Sequence, residues 1–177
     1  EEFRKLPDAL ERAAQLDKEY GRNPDLEALP MYCVAFSWKS WYDAKDMRAT
    51  GGNDVNFTMD APALDSTDVA DLRAKGAISF AIANASGTGG PTAGGRASPD
   101  VPVLLEANSA YGVWGGQPCN PYDTERVPRG TSSGSGVSVA ANLVACSVCE
   151  QTSASCKGPA SRNNVVNLLT SKGVTGD

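Results

Sequence analysis

Apolar and polar positions fall into two periods along the chain. Leu10, Ala13, Ala14 and Leu16 form a stripe at helical spacing, Pro7 suits a first helical position and Gly21 a stop, predicting a helix over Pro7–Tyr20. A polar linker runs to Pro30, and the apolar run Tyr32–Phe36 reads as a short buried strand. Asp65-Ser66-Thr67 caps a second helix that carries Val69 and Leu72 and stops at Lys75-Gly76. Ala77–Ala83 is the next strand, and this helix–glycine–strand order belongs to α/β architecture. From Gly87 to Pro128 the chain is rich in Gly, Pro, Ala, Ser and Asn, and a stretch of that length without periodicity is usually functional. Gly130–Gly136 then feeds the apolar, small-residue segment Val137–Val144. No internal repeat is visible.

Composition narrows the function. The 177 residues carry 16 Lys+Arg against 21 Asp+Glu, a net charge of -5. With no dense basic run, a nucleic acid is not an expected partner. No apolar stretch approaches the roughly 18–20 residues of a membrane span, so no membrane partner is expected either. The chain opens Glu1-Glu2-Phe3-Arg4-Lys5 without a leader or an initiator Met, so a start is missing or the chain begins inside a larger protein.

Histidine is absent. That removes Ser-His-Asp and Cys-His mechanisms and most catalytic zinc sites. A general base must therefore be Lys, Asp, Glu or Tyr, or come from another chain. The five cysteines, Cys33, Cys119, Cys146, Cys149 and Cys156, are irregularly spaced and do not read as a disulfide framework. Cys146 and Cys149 form a C-x-x-C that allows a redox or metal reading. Within the apolar run 143–149, with no second such pair, they read better as buried small residues. A reducing, cytoplasmic setting follows from that reading.

The Gly/Ser loop 130–136 ahead of an apolar segment is an anion-stabilising device, because unpaired N–H groups point out of a helix start. It is not a phosphate-binding Walker loop, since no Gly-Lys-Ser/Thr follows, and it lacks the strand and acidic residue of a dinucleotide site. Without histidine, a hydrolase can still pair a serine nucleophile with a lysine, provided burial holds that lysine neutral. Lys39, after a predicted buried strand and between Trp38 and Trp41, is a position for such a shift. Trp38, Trp41 and Trp114 either line a pocket or belong to the core, the commoner place for aromatic residues.

These residues stand in a recognisable order. The run Phe36-Ser37-Trp38-Lys39-Ser40-Trp41-Tyr42-Asp43-Ala44-Lys45-Asp46-Met47-Arg48-Ala49-Thr50 resembles the lysine segment of the amidase signature family. Asp65-Ser66-Thr67, Leu72-Arg73, Gly76-Ala77-Ile78, Ala83-Asn84-Ala85, Asn120-Pro121-Tyr122-Asp123, Arg126-Val127-Pro128 and the loop 130–136 continue the likeness. The segment Glu150–Ala160 is similar to the family's nucleophile segment. The likeness covers nearly the whole chain, and three motifs in order are far more specific than one Gly/Ser loop.

The resemblance implies an α/β fold, a mixed β-sheet surrounded by helices, with residues 1–177 as a single amidase domain, incomplete at its C-terminus. It implies hydrolysis of a carboxamide through a Ser–Ser–Lys triad: Lys39 as base, Ser132 as bridging serine and Ser155 as nucleophile. Backbone N–H groups of Thr152, Ser153 and Ala154 would form the oxyanion hole. It implies no metal and no organic cofactor, a small-molecule amide as substrate, and the remainder of the amidase domain or a second copy as protein partner. Lys39 is expected beneath the Gly/Ser loop and within hydrogen-bond reach of Ser132. An isolated chain of this length is expected to expose apolar surface and associate. Ser153 and Ala154 stand where the family often has glycines, Ser40 where aspartate is common, and Cys156-Lys157 where arginine is frequent. The alternative reading is an inactive amidase-like scaffold or binding module. Aliphatic, aryl, carbamoyl and peptide amides all remain open as substrates.

Overall fold

The structure, a computed structural model, describes residues 8–45, 47–52, 61–86, 112, 115–152 and 154–175. Helix α1 (Ala9–Tyr20) is closed at its start by a reciprocal cap: Asp8 accepts from the Glu11 N–H at 3.0 Å, and Glu11 accepts from the Asp8 N–H at 3.0 Å. The expected start at Pro7 lies outside the described residues. The helix begins two residues later because the carboxylate of Asp8 takes the cap. Gly21, at φ 68°, ends it in the left-handed region. Of the expected stripe, Leu16 is fully buried whereas Leu10 is 80 % exposed, so α1 lies against the outside of the fold along a narrow line.

Strand β1 spans Ala35–Lys39, three residues beyond the Tyr32–Phe36 expected from the apolar run. Cys33 sits at φ 57°, and the Tyr32 and Val34 N–H groups bond back to Leu29 and Met31, so a turn occupies 31–34. This shift makes Lys39 the last residue of a buried strand. Helix α2 (Thr67–Ala74) and strand β2 (Ile78–Ala83) follow, joined through Gly76 at φ 93°. Asp65 holds α2 in place, accepting from Arg73 at 2.7 Å and from the Lys45 N–H at 2.6 Å. Helix α3 (Ser133–Ala140) starts inside the Gly/Ser loop, four residues before the expected apolar segment. Strand β3 (Cys146–Val148) and helix α4 (Lys157–Arg162) complete the described elements.

The three strands form one sheet in the order β2–β1–β3. Lys39 pairs with Ala83 on one side of β1, and Trp38 with Val148 on the other. Both pairings are parallel, so the mixed sheet expected from the sequence is not seen among the described strands. Among the described residues antiparallel pairing occurs only as two isolated bridges outside the strands, Gly112 with Gly116 and Asn120 with Asp123.

Side chains alternate along β1. Phe36 and Trp38 point to one face, stack at 5.7 Å, and join Ala44, Val69 and Ala77 in the core. Trp38 has no exposed surface, which assigns it to the core; Trp41 is 44 % exposed, and Trp114 lies outside the described residues. Trp38→Ala is expected to cost about 3–5 kcal/mol, because the cavity adds to the lost burial. Urea denaturation of the two proteins measures it.

Candidate functional site

Parallel strands deliver their C-terminal ends to one edge, where open α/β sheets usually bind ligands. Lys39 ends β1, Asn84 follows β2, and Glu150 follows β3. Ser37 and Lys39 point away from the aromatic core. Ser37 meets Ser138 of α3 at 2.8 Å and donates to Ser147 of β3 at 2.7 Å, so this face of β1 lies under α3.

The loop before α3 is fixed against the end of β2. The Gly134 N–H donates to the Asn84 carbonyl at 3.0 Å, and the Ser86 N–H to the Thr131 carbonyl at 3.1 Å. A Cβ on Gly134 would lie 2.5 Å from both N and O of Asn84, a clash with backbone that only glycine avoids. The small residues of this loop therefore serve a close approach, which brings the hydroxyl of Thr131 to Lys39 and that of Ser132 to Ser155.

Lys39 has no exposed surface. Its ammonium donates to Glu150 Oε2 at 2.5 Å, to Thr131 Oγ1 at 2.8 Å and to Ser155 Oγ at 3.2 Å, and lies 3.8 Å from the centre of the Trp41 ring. Ser155 Oγ also meets Ser132 Oγ at 3.0 Å and bonds closely with Thr131 Oγ1. The structure thus brings Lys39, Ser132 and Ser155 into one cluster. The direct Lys39–Ser132 link expected from the sequence is not made. Ser132 is the N-cap of α3 and turns its hydroxyl toward Ser155 and the Glu150 carbonyl, leaving Thr131 to bridge lysine and nucleophile.

Burial pulls the Lys39 pKa below the ordinary 10.5, against the hydrogen bond and charge of Glu150, which pull it up. Burial pushes Glu150 up, but hydrogen bonds from Lys39 and Thr152, the Lys39 charge and a bond with Ser155 outweigh it and hold the carboxyl below its usual range.

The segment carrying Ser155 runs from β3 to α4. Its start and end are joined by a disulfide between Cys149 and Cys156, whose Cα atoms lie 5.8 Å apart. Gln151 Oε1 accepts from the N–H groups of Cys156 at 2.6 Å and Lys157 at 3.1 Å, and Thr152 donates to Glu150 Oε1 at 2.8 Å. Of the expected oxyanion-hole residues, Thr152 and Ala154 are exposed at the turn beside Ser155, and Ser153 lies outside the described residues. The N–H groups of Thr152 and Ala154 donate no hydrogen bond among the described residues. The reading of Cys146 and Cys149 as buried small residues is corrected: Cys146 is free and exposed at the start of a three-residue edge strand, and Cys149 is bonded to Cys156. Among the described residues no group of His, Cys, Asp and Glu is placed to hold a metal ion, and no helix is long and apolar enough to cross a membrane.

The sequence matches the family described as Amidase over residues 4–175. The chain belongs to the amidase family. It is 34 % identical over 172 residues to a probable amidase of Arabidopsis thaliana, covering 96 % of this chain and 31 % of that protein. It is also 34 % identical over 167 residues to a subunit of glutamyl-tRNA(Gln) amidotransferase from Koribacter versatilis, covering 93 % and 30 %. The fold matches the crystal structure of peptide amidase from Stenotrophomonas maltophilia with a TM-score of 0.72 and 31 % identity, over 89 % of this chain and 29 % of that one. The chain thus spans about three-tenths of the length of the relatives it matches.

Two residues of this site do not stand out in the sequence. Thr131-Ser132-Ser133 offers three consecutive hydroxyls, and only the fold tells that Thr131 rather than Ser132 reaches Lys39. Glu150 carried a usable signal: in a chain without histidine, it is an acid placed directly after an apolar strand and five residues before the candidate nucleophile.

Proposed function

We propose that the polypeptide carrying these residues hydrolyses a carboxamide C–N bond, giving a carboxylic acid and ammonia or an amine through an acyl-enzyme on Ser155. Residues 1–177 are read as belonging to a single amidase domain. The observation that carries the reading is a lysine without exposed surface, hydrogen-bonded to the hydroxyl of a partly exposed serine and connected to it a second time through Thr131. The names of the relatives support amide chemistry as the reaction class.

In this mechanism the neutral amine of Lys39 takes the Thr131 proton as Thr131 takes that of Ser155, and Ser155 Oγ bonds to the amide carbon. Ser132, on the other side of Ser155, is the second hydroxyl able to carry that proton. The role of stabilising the developing oxyanion is assigned to the N–H groups of Thr152, Ser153 and Ala154; in comparable hydrolases one such donor is worth about 3–4 kcal/mol. When the C–N bond breaks, the Lys39 proton returns through the relay to the leaving nitrogen. Water then gives a proton to Lys39, its hydroxide bonds to the acyl carbon, and the Ser155–carbon bond breaks as Ser155 regains the proton.

Trapping with a fluorophosphonate, followed by peptide mapping, is the test. The adduct is expected on Ser155, and an unmodified Ser155 in a protein that hydrolyses no simple amide would leave an amidase-like scaffold. Thr131→Ala is expected to slow adduct formation more than Ser132→Ala, because of these two hydroxyls Thr131 is the one that bonds to both Lys39 and Ser155; the reverse order would make Ser132 the bridge. The pH dependence has a defined sign. The reactive form is the neutral amine, so trapping rises with pH and levels off through the Lys39 pKa, which burial places below 10.5.

A further inference from the structure

We propose that Glu150 is a positioning residue that holds the proton on Lys39 and so sets the pH at which this site becomes basic. The inference deepens the reading above and rests on Lys39 as its base. An ammonium has three donors, and all three are directed at acceptors: Glu150, Thr131 and Ser155. That is the geometry of the charged lysine. Of the three acceptors only Glu150 carries charge, and its contact at 2.5 Å is the shortest.

The surroundings isolate the pair. Helix α3 and strand β2 bring no ionisable side chain, and Cys146 of β3 faces solvent. Lys157 and Arg162 of α4 are exposed. From the segment after β1 come the Trp41 ring and Tyr42, whose phenol is pushed up by burial, then by Asp68 of α2 and Glu150. Thr131, Ser132 and Ser155 are uncharged hydroxyls. No charged group besides Glu150 therefore contacts Lys39 among the described residues. The Glu150 side chain is 31 % exposed and reaches Lys39 from the rim, while its other oxygen is held by Thr152. The same carboxylate thus connects the protonation of the base to the turn beside the nucleophile.

An opposite charge this close raises a lysine pKa by about 1–3 pH units. Glu150→Gln keeps the shape and an acceptor but removes the charge, so Lys39 should lose its proton at lower pH. The natural polypeptide, labelled with 13C at lysine Cε, allows the Lys39 signal to be followed by NMR and assigned by its loss in Lys39→Arg. The Lys39 midpoint is expected to fall by about 1–3 pH units in Glu150→Gln. Glu150→Asp, which keeps the charge, is expected to titrate closer to the parent than to Glu150→Gln. The rising limb of fluorophosphonate trapping should move down with the NMR midpoint. At pH values below both limbs, trapping should become roughly tenfold faster for each pH unit by which the midpoint falls.

An unchanged Lys39 midpoint in Glu150→Gln, or an Asp variant that titrates with the Gln variant, overturns the proposal. A shifted midpoint without any trapping at Ser155 upholds the hold of Glu150 on Lys39 and overturns the amidase mechanism instead. The coupling is reciprocal, which supplies a second variant should Glu150→Gln fail to fold. In Lys39→Met the 13C-labelled carboxyl of Glu150 is expected to titrate at higher pH than in the parent, and an unmoved carboxyl would equally defeat the proposal.

Discussion

Ser155→Ala is expected to abolish fluorophosphonate capture and to lower kcat by about a million-fold, the loss seen when the nucleophile of a serine hydrolase is removed. Such a loss is complete for chemistry because no neighbour can substitute. Thr131 and Ser132 both bond to the Ser155 oxygen rather than replacing it. Lys39→Ala should cost a comparable factor, and the double variant no more than either single one, because a nucleophile and its base act as one unit. A double variant markedly slower than both singles would show that Lys39 and Ser155 act independently. Ser155 is only partly buried, so the far-ultraviolet circular dichroism of Ser155→Ala should match the parent and exclude unfolding as the cause.

The site was legible in the sequence to the extent that its chemistry is local. Absence of histidine narrows the base to Lys, Asp, Glu or Tyr, which follows from composition alone. Lys39 as that base rests on the resemblance of residues 36–50 to the lysine segment of the amidase signature family. What the chain order did not carry was the direction of individual hydroxyls. Thr131 and Ser132 are adjacent, and α3 begins at Ser133 because Gly134 is pressed against Asn84. That contact between distant segments decides that Thr131 bonds to Lys39 while Ser132 turns to Ser155. Glu150 is hard to read from the sequence for a related reason. A single acidic residue has no periodicity, and its partner is 111 positions away across a parallel strand pair.

Strand limits show the same division. Ala77–Ala83 was placed to within one residue because its apolar run ends at Gly76 and Asn84, where turn chemistry agrees with the pattern. The first strand slipped toward Lys39 because Cys33 adopts a left-handed backbone. Non-glycine residues take that conformation seldom, so residue type gives little warning of it. The cysteine pairing is not legible in the sequence, because spacing alone says nothing about what brings two thiols together. The seven-residue separation of Cys149 and Cys156 closes only because β3 ends and α4 begins beside each other, on the sheet edge that holds Lys39.

That bond leads to the second large effect. Reducing the Cys149–Cys156 disulfide, or replacing both residues by alanine, is expected to lower stability by about 2–3 kcal/mol, the chain-entropy value for so short a loop. It should also slow trapping of Ser155 strongly. The bridge ties the two ends of the segment that carries Glu150, Thr152 and Ser155, whose other described restraints are single hydrogen bonds, among them Gln151 on the N–H groups of Cys156 and Lys157, Thr152 on Glu150 and the Gly158 N–H on the Ala154 carbonyl. When the bridge opens, Ser155 can move relative to Lys39, and reaction rates are sensitive to displacements of about 1 Å. Cys33, Cys119 and Cys146 are free and exposed, so they are first blocked with iodoacetamide under non-reducing conditions. Mass spectrometry should then find Cys149 and Cys156 unmodified and joined in one peptide. Reductant added afterwards should lower the urea midpoint and the trapping rate together, and reoxidation should restore both. Trapping at an unchanged rate after verified reduction would mean that packing of β3 and α4 alone holds Ser155 against Lys39.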